Sequence, residues 1–191
     1  MAVTPGVRVA AALGIVLVTA SSILALADRP TPAVQLADGT VHFAHPPRLV
    51  DTVANFRATY TPNAIYYFTL DLPADAGEPL QRVAITKTEG GGDIYYRLDR
   101  FRAFEGTFYR KGAELAIAEV TADRDTNTVA VIFDPPIPPG RTITVGLRSL
   151  RNPHIPGVYL FGVTAFPAGE QPYGQFLGFG RIYFNRHRGG G

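Results

Sequence analysis

No cysteine occurs anywhere in the chain. That absence removes disulfides, thiolate metal sites, a cysteine nucleophile and a lipid-modified cysteine anchor together. Serine is almost as scarce. Beyond residue 27 only Ser149 remains, in "LRSLR", without the Gly-x-Ser-x-Gly turn that exposes and activates a nucleophilic serine. A threonine or tyrosine nucleophile would need a partner base that no local pattern supplies. Lysine is confined to Lys87 and Lys111, so the positive charge is nearly all arginine. Arginine's planar fork suits carboxylate, phosphate or sulfate, yet no dense basic run of the polyanion-binding kind occurs, and no nucleic-acid partner is expected. Past the first 27 residues no stretch holds a sustained helical period, which argues against a parallel α/β fold with crossover helices.

What is present begins with a leader. Arg8 is the only charge before Asp28, and the apolar run between them ends in Ala25-Leu26-Ala27. A basic start, an apolar stretch and a small-x-small end describe a signal peptide over residues 1–27, cleaved before Asp28. Retention as a membrane anchor is the alternative, because the uncharged run approaches the length of a bilayer span. After cleavage no membrane span is expected, and the address is the periplasm or the cell surface. Residues 28–39, with Pro30 and Pro32, form a lead-in. Residues 40–185 are long enough for one β-sandwich domain burying about 70% of its unfolded surface. The tail over residues 186–191 ends in three glycines with nothing to pack, and is expected to be disordered.

Within the domain, apolar residues alternate over short runs. "AIYYFTLDL" sets Tyr66, Phe68, Leu70 and Leu72 on one face, and "RVAITK" sets Val83 and Ile85 inward. The same period gives Leu115 and Ile117, then Val129, Val131 and Phe133, then Ile143, Val145 and Leu147, then Tyr159, Phe161 and Val163. This is the pattern of strands with one face on a core. Turn-rich intervals such as "LPADAGEP", "DPPIPPG" and "FPAGEQPYG" separate the runs. Together they predict an all-β fold, an antiparallel immunoglobulin-like β-sandwich. "RLVDTVANF" fits a helical turn or a strand equally well.

The remaining question is chemistry. Only four histidines occur, and "VHFAHPPRLV" holds His42 and His45 three apart. On a strand those side chains point to opposite faces, and Pro46 keeps His45 out of helical geometry, so the pair is a poor chelate unless a bulge intervenes. Either could still join His154 or His187 around copper or zinc, to which imidazole is suited. "DRDTNT" places Asp123, Asp125 and Asn127 in a faint imitation of a calcium loop. Thr128 stands where such a loop needs glycine, so a polar hairpin turn is the reading. Gly174, Gly178 and Gly180 precede a strand-like "RIYF" rather than opening a helix, so they serve a bend or bulge and not a phosphate. Paired carboxylates for glycoside cleavage, drawn from Glu78, Glu105, Glu114, Glu119 and Glu170, have no local signature.

The tyrosines are more informative. Tyr66-Tyr67 and Tyr95-Tyr96 are adjacent pairs, so on a strand one member of each points outward. Tyr67 and Tyr95 are the candidates for stacking on a sugar or anchoring a protein, against the alternative that such a ring packs on its neighbours across strands.

"HPPRLV", "YYFTLDLPADAGEPLQRVAI", "FDPPIPPGRTITVGLRSLRNP" and "GVYLFGVTAFPAGEQPYGQFLGFGRIYF" together resemble a family of small exported proteins, largely cyanobacterial, known as a domain of unknown function. The resemblance spans roughly His42 to Phe184, implies export and a single domain, and carries no catalytic or binding residue with it. The expected function is a non-catalytic module, without cofactor, that binds an envelope protein or polysaccharide. The alternatives are a periplasmic copper- or zinc-binding protein using His42, His45 and His154, and a carbohydrate-active enzyme.

Overall fold

The computed structural model describes residues 39–186 and the backbone of Val34–Gln35. The expected signal peptide, most of the lead-in, His187 and all but the first residue of the tail lie outside the described residues.

Among the described residues twelve strands follow in order: β1 (Val34–Gln35), β2 (Val41–His42), β3 (Arg48–Ala54), β4 (Ile65–Leu72), β5 (Leu80–Glu89), β6 (Arg102–Thr107), β7 (Arg110–Glu114), β8 (Ile117–Asp123), β9 (Thr128–Ile137), β10 (Arg141–Arg148), β11 (Gly157–Pro167) and β12 (Gln175–Phe184). The only helical element among the described residues is a 3₁₀ turn at Leu98–Arg100. β1 and β2 pair with each other, so the lead-in contributes a short strand. The other ten make two five-stranded antiparallel sheets, β3-β4-β10-β6-β7 and β12-β11-β5-β9-β8. The fold is the expected all-β, antiparallel, immunoglobulin-like sandwich. The ambiguous "RLVDTVANF" is strand, because an edge position in the first sheet gives its β-branched residues a pleated surface to pack on.

Alternation builds the core as read. Tyr66, Phe68, Leu70 and Leu72 from β4, Ile143, Val145 and Leu147 from β10, and Tyr159, Phe161 and Val163 from β11 are all fully buried in one cluster between the sheets. Leu115 and Ile117 are only partly buried, because the crossover into β8 lies at the sandwich margin. Aromatic rings dominate the centre: Tyr66 meets Phe161 at 5.9 Å and Phe184 at 5.5 Å, and Phe68 meets Phe161 at 5.6 Å. The buried Tyr66 hydroxyl donates to Asn152 Oδ1 at 2.7 Å, so this polar tip is satisfied inside the core. Ser149, the lone serine beyond residue 27, is fully buried and donates to the Ala64 carbonyl. It is a structural hydroxyl.

Of the glycines expected to serve a bend or bulge, Gly178 does so, inside the last strand rather than before it. β12 slips register against β11 where Gly178 (φ +121°) pairs with Val163, and Leu177 is the extra residue of the bulge. Gly180 lets β12 of one sheet lie directly against β3 of the other. A Cβ there would meet the Thr52 side chain and come within 3.0 Å of Phe68. One long side of the sandwich is therefore closed by backbone approach.

Candidate functional site

The opposite long side is not closed in this way. The chain passes from β7 to β8 through Leu115 and Ala116, and beyond this crossover the Tyr95–Leu98 segment lies between the two sheet margins. A cleft of about 310 Å³ opens there, with Ile94 and Val129 at its apolar base. One wall is Tyr95, Tyr96 and Leu98; the other is the β8–β9 turn with Asp123, Arg124 and Asn127. This volume falls at the small end of ligand-binding clefts.

Each wall is fixed by backbone hydrogen bonds. The Tyr95 carbonyl accepts from Leu150 N at 2.7 Å, the Arg97 amide donates to Arg148 O at 2.9 Å, and Tyr96 bridges Ser149, so the segment is pinned to the end of β10. Tyr96 turns inward, edge-on to Tyr66 at 6.3 Å, and burial pushes its hydroxyl pKa up. Tyr95 turns out and stays half exposed. The other wall is the polar turn expected from "DRDTNT". Asp123 Oδ1 accepts the amides of Asp125 at 2.9 Å and Thr126 at 3.4 Å, and Asn127 takes a left-handed φ of 52°. Hydrogen bonds from the Thr126 side chain and the two amides hold the Asp123 carboxyl below the usual aspartate range. Arg124 reaches across, its guanidinium 5.4 Å from the Tyr95 ring centroid, a cation–π contact at the mouth.

Lys87 supports the floor. Its ammonium donates to the carbonyls of Gly90 at 3.3 Å and Gly92 at 3.0 Å, which fastens the glycine turn leading into the Tyr95 wall. Gly90 sits at φ +114° with a Tyr159 ring where its Cβ would stand, so no other residue fits that turn.

The other sequence candidates scatter. Tyr67 faces away from the core as expected, but Phe104, Phe108 and Lys111 cover it. The ring centroids lie 6.3 and 4.8 Å away and the ammonium 5.5 Å, leaving the side chain 7% exposed. Cross-strand packing thus takes the ring that was a candidate for a ligand, and Tyr67 is not a surface residue. Of the histidines, His42 stacks on Tyr173 at 4.5 Å and His45 Nδ1 lies 3.0 Å from the Asp75 carbonyl. His154 lies against Gly92 and tilts toward Tyr60 at 6.4 Å. The structure gives the three separate neighbours and does not bring them together. Among the described residues no three His, Asp or Glu gather in a metal-binding group. Of the carboxylates, Glu105 is engaged by Arg141 and Glu114 lies 3.9 Å from Arg102, while burial raises the Glu78 carboxyl above its usual range.

Arg124 was not singled out from the sequence, and Lys87 only for its rarity. The available signals were one of the two lysines, close before "EGGGD", and the arginine inside the polar turn, and neither shows that the two loops meet.

The fold and cleft define an immunoglobulin-like β-sandwich with a tyrosine–arginine mouth on its open side. The chain belongs to the family described as protein of unknown function (DUF2808), whose model matches residues 40–184. No curated protein matches the sequence. Among solved structures it is similar to the collagen-binding domain from a Staphylococcus aureus adhesin, at 8% identity and a TM-score of 0.37, covering 65% of this chain and 89% of that one. It is also similar to the C-terminal domain of the Streptococcus agalactiae AgI/II polypeptide BspA, at 13% identity and TM-score 0.40, covering 72% and 48%. A cohesin module from a Clostridium perfringens family 33 glycoside hydrolase matches at 10% identity and TM-score 0.33, covering 73% and 99%. The sandwich assignment stands on the two sheets themselves. No helix among the described residues is long and apolar enough to cross a membrane.

Proposed function

We propose that this chain is an exported, non-catalytic binding module of the periplasm or cell surface that engages an envelope protein or polysaccharide through the cleft between Tyr95 and Arg124. The observation that supports it is the mouth itself: a half-exposed ring on a pinned segment, faced by an arginine. A rigid tyrosine offers stacking area at little entropic cost, and arginine beside it adds directional donors, the combination enriched where binding energy concentrates. A binding role rather than a catalytic one is supported by the commitments of two of the four charged groups that line the cleft. Lys87 is bound to backbone carbonyls and Asp123 to turn amides, so both are occupied in shaping the walls.

The test is capture of isolated cell-wall polysaccharide and of solubilised envelope protein by the purified chain, compared with Tyr95→Ala and Arg124→Ala. Each substitution is expected to weaken capture about tenfold or more while leaving the circular dichroism unchanged. Undiminished capture by both variants would remove the cleft from the binding surface. Release of reducing ends from the polysaccharide would make the protein an enzyme instead.

A further inference from the structure

The loops of the sandwich fall at its two ends, and the ends differ in sign. β3, β5, β10 and β12 all finish at one end, beside residues 55–64, 90–97, 124–127, 149–156 and 185–186. These segments hold Arg57, Arg97, Arg124, Arg151 and Arg186 against Asp93 and Asp125. The adjoining strand ends add Glu89, Asp123 and Arg148, so the excess stays positive. At the other end lie residues 43–47, 73–79, 138–140 and 168–174, which hold Asp75, Glu78 and Glu170 and no arginine or lysine. The strands there add Asp134, Arg82 and Arg110, with Arg48 paired to Asp71 and Arg141 to Glu105, so the excess stays negative.

The basic end is most one-sided where three segments are tied together. The buried Asn152 amide donates to the carbonyls of Phe56 at 3.0 Å and Ala58 at 2.8 Å, and Asn185 N donates to Arg57 O at 2.7 Å. Residues 55–64, 149–156 and 185–186 hold no carboxylate. Their Arg57, Arg151 and Arg186 are exposed and join no ion pair among the described residues. The same segments present the half-exposed rings of Phe56 and Tyr60, and Tyr60 is held at φ +62°, backbone strain of the kind that clusters at binding sites. The acidic end is tied as firmly: Ala44 N donates to Ala76 O at 2.8 Å and Ala168 N to Pro79 O at 2.9 Å. Asp75 has His45 beside it at 3.3 Å, while Glu78 and Glu170 join no ion pair among the described residues. Tyr173, half exposed and stacked on His42, supplies a ring at this end.

We propose that the basic end of one copy of this chain seats on the acidic end of the next, giving a head-to-tail row. Charge selects the occupant. Both halves of a complementary contact belong to one chain and sit at opposite ends of its strands, so a shift along the strands brings the arginine end of one copy onto the carboxylate end of another. Such a contact is heterologous: each added copy leaves one end free, and the row stays open unless its rotation closes a ring. A symmetric end-to-end dimer is the poorer arrangement, because it sets arginines on arginines or carboxylates on carboxylates. The charges are exposed, so the contact is weak, steered by charge and sensitive to salt. The inference does not depend on what the cleft binds.

The test is sedimentation velocity of the purified chain over a concentration series at about 20 mM and about 500 mM salt, where charges are felt over about 20 Å and about 4 Å. The weight-average sedimentation coefficient is expected to rise with concentration at the lower salt and to return to that of the monomer at the higher. Arg57→Glu with Arg151→Glu, and separately Asp75→Arg with Glu170→Arg, should each weaken association about tenfold or more without changing the melting temperature. An equimolar mixture of the two variants should associate again, since each then meets an end of opposite sign. Glu119→Arg, in the middle of β8, should associate as the native chain does. If a reversed variant does not fold, Arg57→Gln and Glu170→Gln carry the same test with a loss of about threefold. A monomer at both salts, association indifferent to salt, a symmetric dimer that grows no further, or a mixture that fails to recover would each overturn the proposal. A monomer whose capture of an acidic envelope polysaccharide is abolished by Arg57→Glu would overturn it too, by giving the basic end a different occupant.

Discussion

The two long sides of this sandwich are sealed by different means. Where β3 meets β12, the sheets approach so closely that only a glycine, Gly180, fits opposite Thr52 and Phe68, and the aromatic cluster of Phe68 and Phe161 lies directly behind. Where β7 and β8 form the margins, a loop carrying Tyr95, Tyr96 and Leu98 occupies the space and leaves hollows around itself. Close packing is concentrated on the first side and accessible surface on the second. A protein with no disulfide has to obtain its stability from close packing somewhere, and a rigid closed side permits an open one.

The comparison breaks most easily at its largest expected effect. Phe68→Ala, at a fully buried ring on the closed side, should cost about 3–5 kcal/mol in urea denaturation, whereas Tyr95→Ala at the open mouth should stay within about 0.5 kcal/mol. Comparable losses would mean that the open side is core after all. A sharper version adds volume at both margins. Gly180→Val forces β12 away from β3 and should cost about 1–3 kcal/mol, while Ala118→Val on exposed β8 should cost less than about 0.5. Next comes the turn beneath the cleft. Lys87→Met deletes both ammonium hydrogen bonds and should cost about 1–2 kcal/mol, with faster amide exchange from Gly90 to Gly92. Lys87→Arg should not fully restore it, because a planar fork does not reproduce a point charge between two carbonyls.

This division also explains what could be read in advance. The closed side is made of strands, and strands announce themselves: the period of two in "AIYYFTLDL" and "RTITVGL" named the core residues correctly, although Tyr67, Thr69 and Thr144 on the opposite face are buried as well. The bulge at Gly178 was legible as clustered glycine next to a strand-like run. The open side is made of loops brought together by sheet order, and no local pattern encodes that order. Tyr95 was identifiable as an outward ring; its partner Arg124 was not, since the two are joined only through the placement of β8 beside the Leu98 turn. Tyr67 shows the converse. Its outward direction was correct, but the hairpin that covers it lies some forty residues further on, at Phe104, Phe108 and Lys111.

The smallest expected effect tests whether the open side is held by its own local electrostatics. Asp123 is fully exposed, yet the Thr126 side chain and the amides of Asp125 and Thr126 hold its carboxyl below the ordinary aspartate range in the folded chain. A depressed folded-state value means that the unfolded chain binds the proton first, so this contribution is fully present above the unfolded pKa and is lost as pH falls through the folded one. Between neutrality and about pH 3 the native protein should therefore lose slightly more stability than Asp123→Asn, which keeps an acceptor for the turn but cannot titrate. Added salt should shrink the difference, because an exposed charge is screened. The measurement is the urea midpoint of both proteins across that range. A gap that stays constant on acidification would place the turn's stability in backbone geometry alone. The Arg124 wall of the cleft would then be set by the left-handed Asn127 rather than by charge.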